Sequence, residues 1–347
     1  MIFFDKIKRV IERPERLLIG IQLRWAYYTN NQKLLIKVLY RLQLGKKLNL
    51  DFPKTFTEKL QWLKFYDHNP IYHQMVDKYE VKKFVADIIG EKYIIPTLGV
   101  WDSFEEIDFD SLPDKFVLKT TNGGGSSGVV ICTDKATFDK RTAKEKLEKS
   151  MANDIYKAMG EWAYKDVPKR ILAEKFMISI KKNVLTDLTD YKFFCFNGEP
   201  HYCQVIRDRN SNETIDFYDM EWNHLPFVGL NPVARNGVQP VVRPLHLDKM
   251  IEICHKLSKD MSFSRIDLYV IDDEEFFGEI TLYPASGYGK FIPEEWDLTI
   301  GEILKLPNKF TPPPPPVPEK FAYFLKFASG RLQDGWFISQ ARISICR

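Results

Sequence analysis

The stretch Asp114–Gly128, DKFVLKTTNGGGSSG, carries a short apolar strand through Lys119 into a series of small, permissive residues. Glycine has no side chain to hold the backbone away, so such a loop can fold its N–H groups over phosphate oxygens. It has neither the Gly-Lys-Ser/Thr of a P-loop nor a strand–GxGxxG–helix dinucleotide fingerprint. Alone the signal is weak, because most glycine-rich turns only turn the chain. It gains weight from a second signature far downstream, where apolar strand segments carry Asp267 and then Glu279. A lysine, a flexible phosphate cover and two late carboxylates are the components of a magnesium–nucleotide site.

Around that loop the spacing predicts a chain of mixed elements. Residues 1–50 are helical and basic, with Pro14 as a break, and either pack on the body or rest on an anionic membrane face or partner. Thr55 with Glu58 forms a capping box that opens a helix, or Thr57 caps it if the helix begins later. A second helix runs from an Asp77 N-cap to Gly90. Strands are expected at Tyr93–Pro96, Phe116–Lys119 and Val129–Thr133, a helix over Lys135–Asn153, and a strand over Arg170–Met177. Tyr191–Val205 is a hairpin around Asn197-Gly198. An amphipathic helix, Asp248–Met261, precedes a last hairpin of Phe263–Val270 and Phe276–Tyr283. A loop with Pro284, Gly287 and Gly289 follows, and Pro312–Pro316 reads as an extended linker before a small terminal element.

At 347 residues the chain can form two domains or lobes. Hydrophobic residues at 44% and charged ones at 28% exclude the disordered and collagenous classes. A net charge of +3 is too near balance to suggest nucleic acid. The 25 Phe and 16 Tyr suit strand-rich cores and stacking surfaces. Cys132, Cys195, Cys203, Cys254 and Cys346 include no close CxxC pair, which argues against a disulfide framework or zinc knuckle. They read as free thiols in a reducing cytosol. Met1–Ile11 mixes charge with apolar residues and has no cleavage site, and no stretch approaches a membrane span, so a cytoplasmic protein is expected.

Hairpins late in the chain do not suit a doubly wound sheet. The ordered motifs instead resemble the ATP-grasp superfamily over roughly Asp77 to Gly287. "DKYEVKKFV…YIIPTLGV" resembles the helix and strand that open its core, and "VLKTTNGGGSSGVV" its lysine strand and phosphate cover. "LAEKFM" resembles the hinge strand, and "RIDLYVIDDEEFFGEITLYPASG" the closing metal hairpin. The leader "FPKTFTEKLQWLKFYDHNP…DKY" is similar to the TupA-like branch, associated with teichuronopeptide, capsule and other surface-polysaccharide biosynthesis.

The resemblance implies an α+β fold with two α/β lobes gripping ATP between antiparallel sheets, behind a helical N-terminal extension. The expected divisions are 1–76 (helical, basic), 77–175 (first lobe with the lid), 176–305 (catalytic lobe with the metal hairpin) and 306–347 (linker and terminal element). Lys78 and Lys119 would bind phosphate oxygens, under a cover of Asn122, Gly123, Gly124, Gly125, Ser126, Ser127 and Gly128. Glu174, Lys175, Phe176 and Met177 would offer the adenine edge their backbone, with the Glu174 side chain toward the ribose or exocyclic amine. Asp267 and Glu279 would hold Mg²⁺, with Thr281 where the family pattern has Asn. Arg265, aided by Lys192 and by backbone near Gly287, would stabilise the transferring group. Tyr202, Arg207, Trp222, Tyr283, Ser286, Tyr288 and Lys290 are candidates for the substrate wall.

The implied reaction is ATP-dependent amide ligation through an acyl phosphate. A carboxylate-bearing sugar or glycan precursor would be joined to an amino acid or other amine. A kinase of a sugar hydroxyl needs the same ATP half-site and remains an alternative. So do a glycosyltransferase, for which no nucleotide-sugar motif is evident, and a non-catalytic nucleotide-binding module.

Overall fold

A computed structural model describes residues 14–177, 189–207, 213–230 and 235–307, with side chains from residue 19 onward. The opening residues, the proline run, the terminal element and Cys346 lie outside them. The described residues begin with α1 (Pro14–Tyr28). Then come α2 (Gln32–Leu44) and α3 (Phe56–Tyr66). Thr55 Oγ1 accepts from the Glu58 N–H while Glu58 returns to the Thr55 N–H, the expected capping box. A short α4 (Ile71–Val76) leads to α5 (Glu80–Ile89). Helix α5 starts three residues after Asp77, yet Asp77 Oδ1 still accepts from the N–H groups of Tyr79 and Glu80. Among the described residues no helix is long and apolar enough to cross a membrane.

The first sheet is antiparallel, in the order β1 (Thr97–Trp101), β4 (Ile171–Lys175), β2 (Phe116–Thr120) and β3 (Val129–Cys132). The strand expected at Tyr93–Pro96 is displaced. Tyr93 and Ile94 N–H groups turn back to Gly90 and Glu91, Pro96 has no N–H, and pairing with β4 begins at Thr97. The helix expected over Lys135–Asn153 also begins late, as α6 (Lys140–Ala152), because Asp134 caps a separate short turn and Asp139 caps the helix. A single turn, α7 (Ile155–Met159), follows.

The second sheet takes the order β11 (Glu274–Thr281), β10 (Phe263–Ile271), β5 (Asp190–Phe196), β6 (Glu199–Arg207), β7 (Thr214–Tyr218) and β8 (His224–Leu225). All its pairings are antiparallel. Asn197 and Gly198, both at positive φ, turn β5 into β6 as the sequence predicts, and Asp272 and Asp273 do the same between β10 and β11. A small ribbon pairs β9 (Val228–Gly229) with β12 (Phe291–Ile292). Helices α8 (Leu247–Ser258) and α9 (Glu295–Ile303) complete the described chain.

One large core joins the six-stranded sheet to the N-terminal helices. Phe56 of α3, fully buried, lies among Phe194, Phe196, Phe263 and Phe291, with ring centroids 5.0–6.5 Å away. A separate core of Phe104, Phe109, Phe116, Leu118 and Leu147 packs under the four-stranded sheet. Cys195, Cys203 and Cys254 are buried free thiols in the large core and Cys132 in the small one, in line with the reading of the cysteines.

Candidate active site

The glycine loop leaves β2 directly after Thr120 and is pinned at both ends. A Cβ on Gly123 would stand 2.3 Å from Thr120 Oγ1, and one on Gly128 would stand 2.1 Å from the same atom. Only glycine permits that approach, so these two residues anchor the loop while Gly124, Gly125, Ser126 and Ser127 stay exposed. Asn122 is buried at its root, with Oδ1 lacking a partner. Lys78 reaches under the loop. Its Nζ donates to the Gly123 carbonyl at 2.6 Å and lies 3.5 Å from Glu279 Oε2. One ammonium therefore links the lid to the late hairpin.

Antiparallel register sets the rest of the cluster. Arg265 pairs with Thr281 and Asp267 with Glu279, so alternate residues of β10 and β11 share one face. Lys192 on β5 is the next neighbour of Asp267. Arg265 Nε donates to Asp267 Oδ1 at 2.6 Å, and Nη2 donates to Asp267 Oδ2 at 2.7 Å. The same Nη2 reaches Glu279 Oε1 and Thr281 Oγ1, each at 2.9 Å. Lys192 also bonds Asp267 Oδ2 and lies 3.8 Å from Asp190. Burial opposes ionisation of Glu279, but Lys78, Arg265 and Lys192 outweigh it and hold the carboxyl well below its ordinary range. For Asp267 burial wins and raises the carboxyl, against the pull of Arg265 and Lys192.

Glu174 is buried in β4 and sits between Lys119 Nζ at 2.5 Å and Lys82 Nζ at 2.6 Å. Burial would raise its carboxyl, yet the two lysines keep it below the ordinary value. The Lys175 N–H is already taken by the Pro96 carbonyl. Met177 packs against Ile95, Ile271 and Phe276, an apolar patch that joins the ends of the two sheets.

A cavity of about 540 Å³ lies between the lid and the hairpin, lined by Gly123–Gly125 and by Arg265, Glu279 and Thr281. Glu161, Tyr164, Tyr283 and Ser286 line the same space. A neighbouring cavity of about 390 Å³ shares Met159, Ala285 and Ser286 with it and adds Gln43, Tyr288 and Lys290. Four of the expected wall residues, Tyr283, Ser286, Tyr288 and Lys290, thus line one or both cavities. Arg207 does not. Its guanidinium bonds Asp216 at 3.0 Å and the Gln239 carbonyl at 2.9 Å, because buried Asp216 needs a counter-charge. Trp222 stacks on Tyr218 and Tyr202 packs edge-on to Phe196, so both serve packing. Gly287 backs onto α3, its carbonyl accepting from Gln61 Nε2 at 2.8 Å, and does not line either cavity.

The donors suit a hard cation. Oxygens of Asp267, Glu279 and Thr281 converge on one point, the Arg265 Nη2, so they can share a single positive centre. Glu279 and Thr281 face the cavity, whereas Asp267 is 1% exposed with both oxygens engaged. Among the described residues no three His, Cys, Asp or Glu side chains are grouped to hold a metal ion.

A family profile described as TupA-like ATP-grasp matches residues 58–305. The chain belongs to the TupA-like ATP-grasp family. A curated D-alanine–D-alanine ligase from Campylobacter lari is 24% identical over 195 residues, 56% of this chain and 47% of that protein. The chain thus spans about half the length of that relative. Solved D-alanine–D-alanine ligases align with TM-scores of 0.35 (Bacillus anthracis, with ATP; 16% identity, 67% of this chain and 68% of that one) and 0.36 (Helicobacter pylori; 16%, 72% and 69%). At those values the structural likeness adds nothing to the family match.

Three charged residues of these clusters were not legible in the motifs. Lys82 follows Lys78 by one helical turn, a spacing that puts both on one face and that could have signalled it. Lys64 looks like one more lysine of a basic helix, but it is 1% exposed beneath the Ser286 loop. Glu161 sits in an irregular segment whose sequence has no periodicity to read.

Proposed function

We propose that this protein is an ATP-dependent ligase that phosphorylates a carboxylate and then joins it to an amine. The observation that carries the reading is Lys78, whose ammonium touches both the lid at Gly123 and the hairpin at Glu279. The glycine loop and Glu279 therefore border one cavity. Lys78 binds phosphate oxygens there. Lys119 and Lys82, tied to Glu174, flank the nucleotide from β2 and α5, and the adenine lies along Glu174–Met177 against the Ile95–Ile271–Phe276 patch.

Charge supports a metal-bound nucleotide. Lys78, Lys192 and Arg265 face Asp190, Asp267 and Glu279, so the cluster has little positive charge to spare for a triphosphate. Mg²⁺ held by Glu279 and Thr281, with Asp267 behind them, would neutralise the phosphates and polarise the transferred group. Arg265 stabilises charge on that group through donors already oriented by Asp267 and Glu279. The acceptor carboxylate oxygen bonds to the γ-phosphorus as ADP leaves. Amine nitrogen then attacks the acyl carbon and phosphate departs.

The family's association with surface polysaccharides, and the resemblance to an amide-forming ligase, favour a uronic acid or amino acid of a glycan precursor as the carboxylate. An amino acid or amino compound is the partner. Exposed Ile21, Trp25 and Tyr28 on α1 support contact with a membrane face or with polysaccharide-synthesis machinery. The test is to incubate the protein with ATP, Mg²⁺, hydroxylamine and a panel of hexuronic and amino acids. Equal amounts of hydroxamate and ADP are expected from at least one carboxylate. ADP with a phosphorylated sugar and no hydroxamate would assign a kinase instead.

A further inference from the structure

Resting on the ligase reading, we propose that Glu161 receives the amino group of the second substrate, with Lys64 and Ser286 as its positioning residues. Glu161 is 6% exposed and lines the cavity that also holds Arg265, Glu279 and Thr281. Among the described residues it forms no ion pair within 4.0 Å, and the hydrogen bond that holds it comes from Ser286 Oγ to Oε1. A buried carboxylate bordering an open cavity without a bonded cation is a seat for one that arrives with a ligand.

The setting is built rather than incidental. Ala285 and Ser286 both hold left-handed backbone, φ 48° and 52°, which non-glycine residues adopt only when their surroundings impose it. Helix α3 imposes it. Lys64 Nζ donates to the Ser286 carbonyl at 2.5 Å and to Met159 at 3.0 Å, and Gln61 Nε2 donates to the Ser286 and Gly287 carbonyls at 3.0 and 2.8 Å. That turn aims the Ser286 hydroxyl at Glu161. Tyr283 lines the same cavity and is 4% exposed, yet its hydroxyl has no partner, a second polar group awaiting a ligand.

An amine enters as R–NH₃⁺ and must lose a proton before it can attack. The groups around Glu161 are Lys64, Tyr164, Tyr283, Tyr288 and Ser286. Burial lifts the Glu161 carboxyl above its ordinary value against the pull of Lys64 and Ser286, and burial lowers Lys64 to about 8. A carboxylate with raised proton affinity is the better base. Glu161 takes one N–H proton and the freed nitrogen pair forms the C–N bond. The C–O bond to phosphorus-bearing oxygen breaks with its electrons on phosphate, which accepts the second N–H proton. The neighbouring cavity, which shares the Ser286 wall, has room for the body of the amine.

The experiment compares two nucleophiles on the same acyl phosphate near neutral pH: hydroxylamine, which is uncharged there, and methylamine, which is an ammonium ion. Glu161→Gln should keep hydroxamate formation within about threefold and lower N-methylamide at least about thirtyfold, a ΔΔG‡ of about 2 kcal/mol. Lys64→Met should raise the KM for methylamine by a larger factor than it changes hydroxamate formation. Should Glu161→Gln not fold, Ser286→Ala is judged by the same criteria. Parallel loss of both products would overturn the proposal, as would an unchanged product ratio. A wild type that makes hydroxamate but no N-methylamide at any concentration overturns it too. No hydroxamate from wild type would instead refute the ligase reading.

Discussion

Replacing Arg265 with Met removes four hydrogen bonds at the centre of the site, two to Asp267 within β10 and two that tie β10 to Glu279 and Thr281 of β11. Exposed ion pairs contribute about 0–1 kcal/mol, but breaking a buried pair by removing one partner costs about 3–5 kcal/mol. Arg265 and Asp267 side chains are 12% and 2% exposed, which places them in the second class. Lys192 remains with Asp267 and Lys78 with Glu279, so the lower end, about 3 kcal/mol, is expected. Urea unfolding should then move to a lower midpoint at unchanged slope. Combined with Asp267→Asn, the loss should fall short of the sum of the two single losses by about 1–3 kcal/mol, since the partners share their bonds. ADP release should fall by about 10²–10³ in Arg265→Met, the usual cost of one oriented charge donor. An unchanged midpoint, or strictly additive losses in the double variant, would refute the claim that this guanidinium organises the hairpin.

Gly128→Ala pushes a Cβ to 2.1 Å from Thr120 Oγ1 and 2.4 Å from Ser150 Oγ; a stability loss of about 1–3 kcal/mol and a raised KM for ATP are expected from unfolding and steady-state assays. Glu279→Gln should raise the Mg²⁺ concentration for half-maximal ADP release by about tenfold or more, read by metal titration after chelation. Glu174 is held below its ordinary 4.5, so the folded state binds its proton less readily than the unfolded chain. Its stabilising contribution is complete above that value and is lost as pH falls through the folded value. The stability gap between wild type and Glu174→Gln should therefore be widest near neutrality and close in acid, and a gap that is flat with pH would contradict it.

Local chemistry made much of this architecture readable before any coordinates. The Thr55–Glu58 box, the Asn197-Gly198 turn and the glycine loop each act over a few residues, so their sequence is their structure. That Asp267 and Glu279 share the last hairpin was also accessible, but their direct pairing was not: counting back from Asp272-Asp273 sets Asp267 against Gly278, and a bulge between Asp267 and Leu268 shifts the register by one onto Glu279. What stayed hidden depends on contacts between distant segments. Lys64 and Lys83 look alike on paper, yet Lys64 is buried under a loop more than two hundred positions away, and Lys83 lies in solvent beside Asp87. Arg207 misled for the same reason, since the claim of Asp216 on it appears only when β6 lies beside β7. The first strand shifted because turn bonds at Gly90 and Glu91 took the N–H groups that pairing needed.

The aromatic nest around Phe56 has a practical corollary for anyone hoping to trim this protein to its family-matched portion. Cutting before Asp77 would unplug that ring from Phe194, Phe196, Phe263 and Phe291, a vacancy costing about 3–5 kcal/mol by itself. The leader is part of the fold rather than an appendage to it, and mutations that loosen it should surface as a lowered unfolding midpoint.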